Sequence, residues 1–152
     1  PPFITSPGCS VSSHTCPTVK DVHFTFGGCA GLHVVVSIKK QAEGQGKNVL
    51  MDLLRSNQTK LAIVVDDDID VRDPHQVEWA IATRFQADHD LIVISGAAGM
   101  KLDPSQPNFP DGVGAKMGID ATRKLNAQFP PANRIPEEVM ARIKRDWKSY
   151  GI

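Results

Sequence analysis

The sequence predicts an α/β fold: a mostly parallel sheet flanked by helices in βαβ layers, with a long ordered loop and a C-terminal helix. Three observations carry that expectation. Short apolar runs at 32–38, 61–65 and 91–94 read as buried strands. Stretches with apolar residues at helical spacing stand between them, at 43–55 and from Pro74 onward. Strands alternating with helices in this way build parallel sheets through right-handed crossovers.

Residues 1–18 carry Pro1, Pro2, Pro7, Gly8 and Pro17 among Ser and Thr, and read as an extended leading segment before an α/β domain at 19–152. Val22, Phe24 and Phe26 alternate with His23 and Thr25, the pattern of a half-buried strand that Gly27-Gly28 breaks. His33, inside the second strand, reads as a hydrogen-bonded core residue rather than a ligand. In 43–55, Val49, Leu50, Leu53 and Leu54 share one helical face. Asp73-Pro74-His75-Gln76 is a helix start: Asp73 suits the N-cap, Pro74 the first position, and Gln76 a capping box. Residues 100–134 are rich in Pro, Gly and Asp and read as the long loop. The last helix starts near Pro136, aligns Val139, Ile143 and Trp147, and stops near Gly151.

Composition narrows the function. The chain has 152 residues, 41% of them hydrophobic, and 17 Lys+Arg balance 17 Asp+Glu. Zero net charge removes the attraction on which nucleic-acid and anionic-membrane binders rely. No apolar run approaches the roughly 20 residues of a membrane span. The chain opens on Pro1 rather than Met, without the basic start and apolar centre of a signal peptide, and reads as a fragment or processed product. Cys9, Cys16 and Cys29 form no C-x-x-C pair, and Cys9, His14 and Cys16 match no zinc spacing. Reduced cysteines in a cytoplasmic protein are the simpler reading.

The acid cluster Asp66, Asp67, Asp68, Asp70 and Asp73 follows a buried strand, where open α/β sheets bind ligands. A calcium loop fails, with Val71 at its sixth position and Val77 at its twelfth. A magnesium or manganese site at Asp66, Asp68 and Asp70 would suit phosphoryl or glycosyl transfer. The plainer reading has Asp68 and Asp70 shaping a turn while Asp73 caps the helix. Gly96-Ala97-Ala98-Gly99 lacks dinucleotide-binding spacing, and Glu137-Glu138 is explained by a helix first turn.

Two blocks carry a resemblance. Asp66-Asp67-Asp68-Ile69-Asp70-Val71 leads to Trp79-Ala80-Ile81-Ala82-Thr83-Arg84, and Lys116-Met117-Gly118-Ile119-Asp120-Ala121-Thr122 follows Leu102-Asp103-Pro104-Ser105. In this order the chain resembles the C-terminal domain of the UbiD family of carboxy-lyases. The resemblance implies reversible, non-oxidative decarboxylation of aromatic or α,β-unsaturated acids. It implies prenylated FMN, Mn2+ and K+ in the parent enzyme, none of them held by this chain alone. The family's catalytic and metal-binding residues lie in preceding domains, so none is carried over. Met100, Leu102, Asp103 and Pro104 match the loop that closes over the substrate, and Arg55 or Lys60 the basic residue that reaches the cofactor phosphate. The implied partners are the preceding cofactor-binding domain, the acid substrate and further copies of the chain. A structural or dimerising module without ligand contact is the competing reading, and the acid cluster becomes structural or part of a hinge.

Overall fold

The computed structural model describes residues 18–29, 31–106, 112–130 and 135–150. Five strands, β1 (Val19–Phe24), β2 (His33–Ile38), β3 (Leu61–Asp66), β4 (Leu91–Ala98) and β5 (Val113–Ala121), form one sheet in the order β1-β2-β3-β5-β4. Helices α1 (Gln45–Leu54), α2 (Pro74–Arg84), the single turn α3 (Ala87–Asp90) and α4 (Glu137–Asp146) accompany it.

The alternation of side chains along β2 and β3 gives the sheet two apolar faces. On the first, Val34, Val36, Ile38, Ala62 and Val64 meet Val49, Leu50, Leu53 and Leu54 of α1. Close contact depends on Gly118 of β5, where an added Cβ would lie 3.1–3.3 Å from Leu54 and Leu50. On the second face, Val35, Ile63, Val65 and Ala121 pack with Ile69, Val71, and Val77 and Ala80 of α2.

The sheet is mixed, which corrects the expectation of a mostly parallel one. Strands β2, β3 and β5 run parallel, while β1 is antiparallel to β2 and β4 to β5. The β1–β2 connection is a short turn through Phe26–Gly28, too short for a crossover helix. For β4 the reason lies in α2. This helix ends with Arg84 hydrogen-bonded to Asp66, the last residue of β3. The chain is thus returned to the carboxyl end of β3, and β4 starts there and runs the opposite way. Helix α2 therefore leaves the amino half of the second face open, where the cross-strand pair Val93 and Met117 is 59% and 38% exposed.

The expected loop 100–134 contains β5. Its K-M-G-I-D-A run alternates weakly because Gly118 stands where Leu50 and Leu54 of α1 press close. Strand β4 extends to Ala98 and is outermost, so it is less buried than its apolar sequence predicts. Asp73 accepts from the His75 backbone N–H at 3.0 Å as the N-cap of α2. Gln76 departs from the capping box. Its Oε1 accepts from the Asp70 N–H and its Nε2 donates to Asp73. The C-terminal helix α4 buries no side chain, and Trp147 and Tyr150 beyond it are 51% and 50% exposed. Cys9, His14, Cys16 and Gly151 lie outside the described residues, and Cys29 is an exposed thiol. Among the described residues no helix is long and apolar enough to cross a membrane.

Candidate functional site

The parallel strands define two ends of the sheet, and each gathers charged residues. At the carboxyl end, Asp66 and Asp68 meet two arginines. The Arg84 side chain is fully buried and donates to Asp66 Oδ2 at 2.6 Å and to both oxygens of Asp68 at 2.9 and 3.0 Å. Arg123 donates its backbone N–H to Asp66 at 2.9 Å and its guanidinium to Asp68. The aromatic rings of Trp79 and Phe129 lie 5.0 and 5.6 Å from the Arg84 guanidinium, and Phe129 also meets Arg123. Burial raises the Asp68 carboxyl, but the Arg84 hydrogen bonds and the charges of Arg84 and Arg123 outweigh it and hold the group below its ordinary value.

This arrangement corrects the phosphoryl or glycosyl transferase reading of Asp66, Asp68 and Asp70. The first two carboxylates are taken by guanidinium groups, and Asp70 accepts the Arg72 N–H at 2.9 Å within its turn. Among the described residues no group of three His, Cys, Asp or Glu side chains could hold a metal ion. The described residues of the acid cluster do not build a divalent-cation site.

The amino end is organised by the segment after β4, because β4 runs antiparallel to the others. Asp103 is its centre and is 6% exposed. Its Oδ1 accepts from the Ser105 N–H and hydroxyl at 3.0 and 2.8 Å, and its Oδ2 pairs with Lys60 Nζ at 2.9 Å. Lys60 Nζ also donates to Ser105 Oγ. The Asp103 N–H reaches the Met100 carbonyl at 2.9 Å, and Gln106 Nε2 reaches the same carbonyl at 2.7 Å. Gln106 lies flat on Gly114, where an added Cβ would meet its Cγ at 3.3 Å. The hydrogen bond from Lys60 is the main force holding the Asp103 carboxyl below its ordinary value.

Of the four loop residues singled out from the sequence, Asp103 is buried, Met100 half-buried, Pro104 exposed and Leu102 75% exposed. The loop thus turns its polar groups inward and one large apolar side chain outward, the reverse of the usual burial preference. The two candidate phosphate contacts differ in setting. Arg55 is the exposed C-cap residue of α1, whereas the Lys60 ammonium is engaged by Asp103 and Ser105.

Two depressions flank Lys60. One, of about 400 Å3, is lined by Ser105, Gln106, Val113 and Gly114 among others. The other, of about 460 Å3, is lined by Leu61, Val93, Met117 and His33, and both include Lys60 and Ala115. His33 behaves as the sequence suggests. Thr25 Oγ1 accepts the Gly28 N–H at 3.1 Å and shares a 2.9 Å hydrogen bond with His33 Nδ1. Burial lowers the pKa of the ring.

Sequence reasoning passed over Lys116, whose Nζ donates to the Leu54 and Ser56 carbonyls at 2.8 and 2.7 Å and closes the end of α1. No local pattern marks that role. It also passed over Ser105 and Gln106, although Asp-Pro-Ser is a turn signal that points to an Asp103–Ser105 bond.

The sheet, the returning α2 and the loop after β4 define an α/β domain whose amino end presents an apolar side chain on a polar-pinned turn. The model of the 3-octaprenyl-4-hydroxybenzoate carboxy-lyase C-terminal domain matches residues 3–121, and the chain belongs to this UbiD family. Anhydromevalonate phosphate decarboxylase of Methanothermobacter thermautotrophicus is 51% identical over 113 residues, which cover 74% of this chain and 26% of that protein. The enzyme of the same name from Methanocaldococcus jannaschii is 50% identical over 113 residues, 74% of this chain and 27% of that protein. The chain therefore spans about a quarter of the length of these relatives. Among solved structures, the UbiD-class enzyme HmfF of Pelotomaculum thermopropionicum, in complex with FMN, aligns with a TM-score of 0.76 at 43% identity. That alignment covers 84% of this chain and 29% of HmfF. Vanillic acid decarboxylase of Sedimentibacter hydroxybenzoicus in its closed form gives 0.74 at 31% identity, over 90% of this chain and 30% of that one.

Proposed function

We propose that this chain is the part of a UbiD-family decarboxylase that closes over the active site and completes its apolar wall. The parent enzyme carries prenylated FMN with Mn2+ and K+, and acts in the cytoplasm. The flavin supplies the electron sink for loss of CO2 when bound. This chain's residues exclude water and press the substrate into place. The single observation behind the reading is Leu102, 75% exposed on a turn that polar bonds hold still.

The substrate is an unsaturated or aromatic acid. Anhydromevalonate phosphate is the first candidate, because the relatives near 50% identity bear its name. Vanillic acid is the aromatic counterpart to try beside it. The test is Leu102→Ala in the full-length enzyme reconstituted with prenylated FMN. The expected outcome is a fall in kcat/KM on the accepted acid of about tenfold or more, the scale at which misplacement of a bound substrate is felt. An unchanged rate and substrate profile would remove this reading. The 152-residue chain alone, supplied with prenylated FMN, is expected to release no CO2.

A second reading, contact between copies, draws on α4. Val139, Ile143 and Trp147 form a stripe at four-residue spacing on a helix that buries none of its side chains. Homo-oligomer contacts through this helix are compatible with the lid role. Trp147→Lys with sedimentation velocity on the full-length enzyme tests them, and an unaltered oligomer would dismiss this surface.

A further inference from the structure

We propose that Lys60 and Ser105 are positioning residues that act through Asp103 to hold Leu102 as a fixed apolar prong, so that Lys60 serves the loop rather than a cofactor phosphate. This rests on the reading that the loop closes over the active site. Lys60 is anchored at its root and at its tip. Its backbone N–H donates to Leu32 O at 2.9 Å, and its carbonyl accepts from Met117 N at 2.8 Å, which ties it into the sheet. Its ammonium ends in the loop, on Asp103 and Ser105.

The three groups form a closed ring of hydrogen bonds. Ser105 has one hydroxyl proton and gives it to Asp103 Oδ1, so its oxygen is left to accept from Lys60. Asp103 then has acceptor bonds on both oxygens and little capacity for another cation. Charge is balanced within the ring, so a phosphate approaching the third ammonium proton would meet the Asp103 carboxylate beside it. Pro104 adds stiffness, because the residue before a proline is confined to extended backbone, and that residue is Asp103. Leu102 is its immediate neighbour. A lysine that joins sheet to turn thereby fixes where the exposed leucine points.

The experiment uses the full-length enzyme with prenylated FMN, assayed on anhydromevalonate phosphate and on vanillic acid. It compares Lys60→Met, Lys60→Arg, Leu102→Ala and the Lys60→Met/Leu102→Ala double variant. Lys60→Met is expected to lower kcat/KM by about tenfold to a hundredfold, because small misplacements of contacting groups cost that much. Flavin content stays at the unsubstituted level, and Lys60→Arg restores most of the rate. The double variant falls no further than Leu102→Ala alone, since a residue acting through another is non-additive with it. Hydrogen exchange of peptides spanning 99–106 quickens in Lys60→Met and is restored in Lys60→Arg.

Loss of flavin in proportion to activity in Lys60→Met would overturn the proposal in favour of a phosphate contact. Additive losses in the double variant would overturn it as well. A silent Lys60→Met beside an impaired Leu102→Ala would sink the positioning role and leave the lid standing. A silent Leu102→Ala would bring down both.

Discussion

The two ends of the sheet hold acids against bases in opposite styles. At the carboxyl end, two aspartates face two arginines beneath Trp79 and Phe129, and the central guanidinium is sealed from water. At the amino end, one buried aspartate faces a lysine whose side chain is 39% exposed, with the most exposed loop leucine beside it. Planar guanidinium groups suit buried bidentate pairing, whereas a lysine stem suits a flexible reach to a rim. The first end therefore secures the return of α2 and the direction of β4, and the second presents a surface. Ligands in open α/β sheets usually meet the carboxyl ends of strands. Here that end is closed by its own ions. The presenting loop still follows the carboxyl end of a strand, β4, and only the reversal of β4 moves it to the other side.

Substitutions can break or sharpen this contrast. The largest effect belongs to Arg84→Met. It takes from buried Asp66 its guanidinium partner and leaves Asp68 to Arg123 alone, and the cost is about 3–5 kcal/mol of stability by denaturant unfolding. A cost near zero would mean that the carboxyl end is not the structural lock. Next comes Gly118→Ala, in the sheet between the two ends. Its Cβ presses on Leu54 and Leu50 at 3.1–3.3 Å, and overpacking of this kind costs about 1–3 kcal/mol. Lys60→Met is expected to cost less stability than Arg84→Met, because Asp103 keeps its two Ser105 hydrogen bonds, while activity falls. Equal losses of stability and activity would erase the distinction between the two ends.

The smallest effect is in pH. The folded pKa of Asp103 is depressed, first by the Lys60 hydrogen bond, so its contribution is complete above the unfolded value near 4. That contribution is lost as the pH falls through the folded value. Asp66 has the opposite sign, because burial raises its pKa, and protonation in the acid range favours its folded form. On acidification, methyl NMR shifts of Leu102 are expected to stay constant down to about pH 5 and to move below about pH 4. A midpoint near neutrality would point to a different partner for this loop.

Strands β2 and β3 and helix α1 were legible because each combines a strong period with residues that bury on that period. The N-cap at Asp73 was legible because its chemistry is local. Strand β5 was hidden: Gly114 and Gly118 stand where Gln106, Leu50 and Leu54 come close, and add no apolar area. The direction of β4 was hidden too, since it depends on where Arg84 lands, an ion pair spanning 18 residues. At the candidate site, the loop residues were found through resemblance. The role of Lys60 was not, because its partners Asp103 and Ser105 lie more than forty residues away in sequence.

The outermost position of β4 has a consequence for handling the chain. The opposite border strand, β1, carries Lys20, Asp21 and His23, an irregular register and an Arg72–Asp21 pair, all of which discourage another strand from adding on. Strand β4 reads Leu-Ile-Val-Ile-Ser-Gly-Ala-Ala, with no charge, and its main guard is the register break between Ile94 and Ala97, where Gly96 adopts φ +65°. That is the profile of a sticky rim. On its own, this domain invites edge-to-edge aggregation along β4, and a lysine at the exposed Val93 is the simplest deterrent.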